Sequence, residues 1–363
     1  DDDARPNSTV LDIQAGTTIL GIASGSAPGT LVIDRNGQFD AVGTSSSPIV
    51  FTSSKAVGTR APGDWGGLVI NGNALVQGGN PTGEGGTGTY GGITATDDSG
   101  TLQYARVEFG GTLFTPDNEL NGIAFQAVGS GTTVDHIQVH KNADDGIEFF
   151  GGSVAVKNIL LTGIQDDSVD YDDGWDGSAQ FVIVHQFGDG DQAIEADGDA
   201  TANDAAGNPL APANPILANF TMVGAAGDEG PEFKSDAQGQ LWNSVIVNYT
   251  GTDEPLRQVV GDSTDIDFAG VGVEAAVDPA GTASDWAIAA GNFYSATAGD
   301  VVEGLDASTT APNYVPTALS GATAQALPGA DGAGNAITTA TYLGAINVGG
   351  TDWTSGWTAF PEN

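Results

Sequence analysis

One unit recurs along the middle of the chain and restricts its fold more than any other feature. Between residues 132 and 250 a longer apolar-alternating run leads through a short acidic turn to a shorter run, then to a Gly- or Asp-rich turn. Val134-Asp-His-Ile-Gln-Val-His-Lys passes through Asp144-Asp145 to Gly146-Ile-Glu-Phe-Phe-Gly. Val156-Lys-Asn-Ile-Leu-Leu-Thr-Gly passes through Asp166-Asp167 to Ser168-Val-Asp-Tyr-Asp-Asp-Gly. Gln180-Phe-Val-Ile-Val-His-Gln then leads through Asp189 and Asp191 to Gln192-Ala-Ile-Glu-Ala-Asp-Gly. A fourth copy joins Leu217-Ala-Asn-Phe-Thr-Met-Val-Gly through Asp228-Glu229 to Gly230-Pro-Glu-Phe-Lys, and a fifth begins at Leu241. His136 to Asn158 is 22 positions and Asn219 to Asn243 is 24; the longer step from Phe181 to Asn219 holds an Ala/Asn/Pro-rich loop near 200–214.

A period near 22 with several short strands per unit predicts an all-β chain, a right-handed parallel β-helix. Each copy is one coil, and coils stack about 4.8 Å apart. A helical-repeat solenoid fails, because the repeats lack a 3.6-residue period and are rich in Gly and β-branched residues. The 55 glycines then serve the tight corners that every coil needs. Asn158, Asn219 and Asn243 occupy matching slots; they read as stacked corner asparagines bonded to the next coil, or as plain turn formers. Less regular strands are expected at 10–19, 31–39, 49–52, 68–71 and 102–109, with a Gly/Thr-rich surface loop at 77–100. A short helix is expected at 285–290, irregular excursions over 295–340, and a strand at 342–346. Trp353 and Trp357 are expected to close the solenoid. No linker divides the chain, so 1–363 reads as one β-helix domain, with regular coils over about 10–250 and excursions plus a closing segment over 251–363.

Six separated motifs occur in order: Gly63-Asp-Trp-Gly-Gly-Leu-Val-Ile-Asn-Gly, Asp97-Asp-Ser-Gly-Thr-Leu-Gln-Tyr-Ala-Arg-Val-Glu-Phe-Gly-Gly, Asp117-Asn-Glu-Leu-Asn-Gly, Val128-Gly-Ser-Gly-Thr-Thr-Val-Asp-His-Ile-Gln-Val, Asp144-Asp-Gly-Ile-Glu-Phe-Phe-Gly-Gly and Asp352-Trp-Thr-Ser-Gly-Trp. With them the chain resembles a family of secreted bacterial cell-surface proteins built on a right-handed parallel β-helix, often described as lipoproteins. The resemblance implies the fold and an extracellular or cell-surface location, and no established reaction. The opening Asp1-Asp2-Asp3 reads in the same direction, as the processed start of a mature secreted chain.

Charge supplies the chemistry. Nine Lys and Arg face 47 Asp and Glu, a net charge of −38, which repels phosphate backbones and argues against nucleic acid. No apolar run is long enough for membrane insertion, and without a single Cys there is no thiol chemistry. Many acids fall at corresponding corners of the repeat: Asp144, Asp145 and Glu148; Asp166, Asp167 and Asp170 with Asp172 and Asp173; Asp189, Asp191, Glu195 and Asp197; Asp228, Glu229 and Glu232. Stacked in register, two such charges repel by about 3 kcal/mol at an effective dielectric of 20. The row therefore reads as a ladder of cation sites, for which hard oxygen donors suit Ca²⁺ better than Mg²⁺; the alternative is a set of solvated corners screened by salt. Asp97, Asp98, Glu108 and Glu119 are candidates for a further site.

These readings favour an extracellular, calcium-stabilised structural or adhesive β-helix that self-assembles into a homo-oligomer, filament or surface layer, with cell-surface polysaccharide as a candidate partner. The competing reading is a secreted polysaccharide-active lyase or glycoside hydrolase. Lys141, Lys157 and Lys234 are its candidate bases, but lone outward lysines among acids pair with them more readily than they catalyse. The Gly-His-Gly and Arg-Ile-Lys of polygalacturonases and a Gly-x-Ser-x-Gly elbow are absent. No catalytic residue is assigned. His136 and His140 are expected to point outward toward solvent or a stacking partner, and Trp65, Tyr171 and Trp175 to fill the core rather than hold sugars.

Overall fold

The computed structural model describes residues 9–363, apart from 24–27, 116–117, 199–206, 208–209, 250–254, 260–263, 282 and 284–285. The N-terminal octapeptide, most of the loop near 200–214 and the start of the expected 285–290 helix lie outside the described residues.

The long strands of the repeat, Thr133–His140, Ala155–Thr162, Ser178–His185 and Ile216–Val223, pair in parallel within a 14-stranded sheet. The shorter runs, among them Ile123–Gln126, Ile147–Phe150, Val169–Asp172, Glu195–Asp197 and Glu232–Lys234, form an 8-stranded parallel sheet. Successive turns of chain thus alternate between two parallel sheets, the parallel β-helix that the repeat predicts.

Each long strand carries one residue in the left-handed region at the same slot: Tyr104, His136, Asn158, Phe181, Asn219 and Asn243, with φ of 48–61°. Alternation from the inward Val134 would otherwise send Ile137 outward. The left-handed residue is the extra one that turns the corner and returns Ile137 and Val139 to the interior, in column with Ile159 and Leu161, then Val182 and Val184. Asparagine tolerates this conformation; His, Phe and Tyr pay about 1–2 kcal/mol for it. The corner asparagines do not bond up a continuous ladder, because Phe181 interrupts their column. Asn219 accepts from Gln180 Nε2 at 3.1 Å but donates to Tyr342 O at 2.9 Å, and Asn243 donates to Gln325 O at 2.9 Å. Their partners lie mainly in the returning C-terminal segment.

Inside, aromatic rings stack coil on coil: Phe125 over Phe149 at 5.3 Å and Phe149 over Trp175 at 3.9 Å between centroids. Trp65, Tyr171 and Trp175 are all core residues. Three expected elements change. The 10–19 strand divides into Thr9–Ile13 and Thr18–Gly21, and the 31–39 strand into Leu31–Ile33 and Gly37–Val42, since Gly16 and Asn36 take positive φ and make turns. Within 285–290 only a 3₁₀ turn, Ile288–Ala290, forms. Parallel pairing also continues past residue 250, through Gly272–Ala275 to Phe293–Ser295. The 77–100 loop is anchored, with Val76 and Tyr90 buried beside Ala127 and Phe150.

From there the chain turns back and runs along the outer face of the long sheet. Asn335 donates to Ser153 O, Gln180 to Thr338 O, Gln138 to Ala359 O and Arg106 to Trp357 O. Because this segment crosses the coils, residues 342–346 form no strand; Gly344 N bonds to Asn243 O and Ala345 N to Thr221 Oγ1 instead. The outward Leu160 and Ile183 are buried beneath Tyr314, Ala345 and Ile346. Both histidines are covered as well. His136 stacks on Tyr104 at 4.3 Å. His140 is fully buried, which lowers its pKa to about 4 and keeps it neutral. Its Nε2 lies 2.9 Å from Pro361 O, an acceptor, so Nε2 holds the proton and Nδ1 accepts from Thr162 Oγ1 at 2.7 Å. Trp353 and Trp357 therefore pack against the solenoid as expected, and it is a flank that they close. Among the described residues no helix is long and apolar enough to cross a membrane.

Trp357, 1 % exposed and edge-on to Tyr104 and His136, is the anchor of this strap. Its replacement by Ala is expected to cost about 3–5 kcal/mol, read as a lower denaturant midpoint at unchanged slope.

Candidate metal centre

In-register pairing makes the outward face of the short sheet one column: Val69, Ala124, Glu148, Asp170, Glu195, Glu232 and Arg257. Its first two members are apolar and buried with Leu120 against Val32 and Phe150. Four acids follow on successive coils. The upper two have counterions from the chain itself: Lys234 Nζ lies 2.6 Å from Glu195 and 3.7 Å from Asp197, and Arg257 pairs with Glu232.

The lower two open onto a groove of about 200 Å³ lined by Glu84, Glu119, Asp144, Asp145, Glu148, Asp166, Asp167, Asp170 and Glu195. No Lys or Arg is among the lining residues. The adjoining corner supplies the second row. Gly146 N bonds to Asp167 O and Ser168 N to Gln192 O, so Asp145, Asp167 and Gln192 stand one above another. Asp145 Oδ1 accepts from Asp167 N at 3.0 Å and Asp167 Oδ1 from Gln192 N at 2.7 Å. Each carboxylate spends one oxygen holding the next turn.

Three overlapping sets bring carboxylate oxygens within 4.8 Å of one another: Glu119, Asp144 and Asp166; Asp145, Asp166 and Asp167; Asp145, Glu148 and Asp170. Oxygens bound to one Ca²⁺ at 2.3–2.6 Å lie at most about 5 Å apart, so these sets are compact enough to share an ion. Buried oxygens without a partner adjoin them: Asp170 Oδ1, and Asn121 Oδ1 on an amide whose nitrogen donates to Glu148. Burial, then mutual repulsion, raises these carboxyls: Asp144 to about 8, Glu84 to about 7, Asp166 to about 6, and Asp145, Glu148, Asp167 and Asp170 well above the ordinary range. Left to itself, the groove holds protons at neutral pH.

The other expected ligands are placed elsewhere. Asp172 is half-buried at the following corner beside Asp173, its Oδ1 without a partner, and desolvation and Asp173 raise its pKa. Exposed Asp189 accepts from Gln165 at 3.2 Å, and Asp191 is also exposed. Asp197 faces Lys234, while Glu232 joins Arg257 and Glu229 lies near Gln192. Asp228 is fully buried and holds a turn, accepting from the amides of Ala225, Gly188 and Gly190 at 2.9–3.2 Å. The suggested further set does not assemble. Glu108 pairs with Arg106 at 3.0 Å, Asp97 bonds to Asn73 and Ser99, and only Glu119 joins the groove. Glu84 also enters it, from the 77–100 loop, where no repeat marks it. Of the lysines, Lys141 and Lys157 bond to the strap, at Glu362 O and Ala336 O, and Lys234 to the ladder.

The fold fits one known class: the chain belongs to the family of the pectate-lyase-like β-helix domain, whose model matches residues 5–358. No curated protein and no solved structure matches it.

Two predictions follow from the charge. Folded-state carboxyl pKa values raised above the unfolded 3.8–4.5 mean that the cation-free native state binds more protons than the unfolded state, so its stability falls as pH rises toward 8. In chelator, the melting temperature is expected to climb from pH 8 to 7, a range above the ordinary 6.5 of the two buried, lowered histidines, His140 and His185. Asp170→Asn removes a carboxyl that must take up a proton on folding without a cation, so it should raise the melting temperature in chelator at pH 8 and shrink the increment that calcium adds.

Proposed function

We propose that the chain is an extracellular, calcium-stabilised β-helix with a structural or adhesive role. The observation that carries this reading is the division of the acidic column. Where Lys234 and Arg257 reach it the chain neutralises itself; beyond Glu195, eight further carboxylates crowd a groove with no basic residue on its walls. Buried like charges at this spacing cost several kcal/mol unless a cation sits among them. All-oxygen donors in irregular array suit Ca²⁺, whose coordination is flexible, better than the strict octahedron of Mg²⁺. One site held at 100 times its Kd adds about 2.7 kcal/mol of stability.

Self-assembly has a surface to work with. Among the described residues nothing pairs with the free edges of Thr9–Ile13 and Thr18–Gly21, and Val10, Leu11, Leu20 and Ile22 are exposed on this first coil. An open, apolar strand edge is a template for a second copy added end to end.

One observation favours the enzyme reading. Asp144 at about 8 and Asp166 at about 6 are carboxyls able to give a proton near neutrality. Against it, the groove, at about 200 Å³, is smaller than the roughly 300–1,000 Å³ of ligand pockets. It also has no cationic or aromatic wall for a uronate.

Electron microscopy and size-exclusion chromatography with calcium and with chelator are expected to show ordered assemblies in calcium that dissolve in chelator. Calcium should also raise the melting temperature at pH 8, and an unchanged value would overturn the cation reading. Release of reducing or unsaturated ends from a uronate panel would replace the scaffold with an enzyme.

A further inference from the structure

A second cleft, of about 640 Å³, shares no residue with the acidic groove. It lies between the Asp34–Asn36 turn and the 91–98 stretch, and its lining includes Arg35, Asn73, Asn80, Ile93, Asp97 and Asp98. We propose that this cleft binds a neutral saccharide, which gives the β-helix a glycan-recognition site separate from its acidic face.

The inner layer is fixed before any ligand arrives. Arg35 Nη1 donates to Asn80 Oδ1 at 2.8 Å and to Gly91 O at 2.9 Å, which sets the plane of the guanidinium. Asn73 Nδ2 bridges Asn36 Oδ1 at 3.0 Å and the buried Asp97 Oδ1 at 3.1 Å. Planar amide, carboxylate and guanidinium groups held by their own hydrogen bonds present paired donors and acceptors without losing rotamer freedom on binding. Toward solvent the cleft offers groups with no protein partner: the exposed Asn80 amide nitrogen, the Thr94 and Thr96 hydroxyls, and one oxygen of Asp98, whose other oxygen holds Gly100 N at 2.8 Å. A polyol gives and takes hydrogen bonds at every hydroxyl, and such a mixed wall matches it. Ile93, 69 % exposed at the rim, supplies the apolar contact that the C–H face of a sugar ring needs. Charge decides against acidic sugars: one Arg faces two Asp here, on a chain of net −38, so a uronate, sulfate or phosphate is repelled.

The test is titration calorimetry or ligand-observed NMR, in calcium buffer, with neutral methyl hexosides, N-acetylhexosamines and their short oligomers beside galacturonate. At least one neutral sugar is expected to bind with a Kd in the millimolar range or tighter, corresponding to about −4 kcal/mol, and galacturonate to bind more weakly. Arg35→Ala should weaken binding at least tenfold. Thr94→Val with Thr96→Val, at exposed positions whose hydroxyls hold no hydrogen bond among the described residues, should weaken it severalfold while the calcium-induced melting shift stays as in the parent. Failure of every neutral sugar to bind, tighter binding of galacturonate, or unchanged affinity in the threonine pair would each overturn the proposal. None of these outcomes bears on the calcium reading, which the melting shift reports independently.

Discussion

In-register parallel stacking is the constraint on which everything else in this molecule depends. Once each coil lies directly on the last, every residue meets its counterpart about 4.8 Å away, and whatever the repeat carries is multiplied along the axis. Repetition of aromatic residues is rewarded: Phe125, Phe149 and Trp175 form a continuous stack. Repetition of acids is penalised, and Glu148, Asp170, Glu195 and Glu232 are held in a row by the same pairing. The interior and the acidic groove are two results of one geometry.

That geometry explains which parts of the site could be read from the residues. The spacing of the repeat aligns Glu148 with Asp170 and Asp145 with Asp167 before any coordinates are known. It misplaces Asp191, since Gln192 rather than an acid stands over Asp167. Asp228 also escapes it, because a carboxylate at a corner can serve three backbone amides as readily as a ladder. Glu84 and Glu119 reach the groove from segments outside the repeated unit, and periodicity carries no information about where an excursion lands. Lys234 and Arg257 matter through where the row ends, which emerges only when the coils are threaded in three dimensions.

The strap was legible only as composition. Ala, Thr and Gly over 295–340 announce irregular chain, and nothing in that stretch tells which way it runs. Outward Leu160 and Ile183 were the missed signal. Apolar residues on the solvent side of a strand require a cover, and here the chain travelling along the axis provides it with Tyr314, Ala345 and Ile346. The corner asparagines answer to the same segment, with Asn219 and Asn243 turned to Tyr342 and Gln325.

A plain solenoid behaves as a one-dimensional array, in which neighbouring repeats cooperate and the ends can fray alone. The strap abolishes that independence. Arg106 meets Trp357, 251 residues away, and Lys141 meets Glu362, 221 residues away, so the strap closes onto coils that lie far earlier in the chain. Such sequence-distant contacts slow folding and postpone its completion until the strap has been made. In return, unfolding cannot start from the C-terminal coils without first peeling a segment that is also anchored on coils far back along the axis. For a protein whose coils carry so much like charge, the array is thereby made to melt as a single unit.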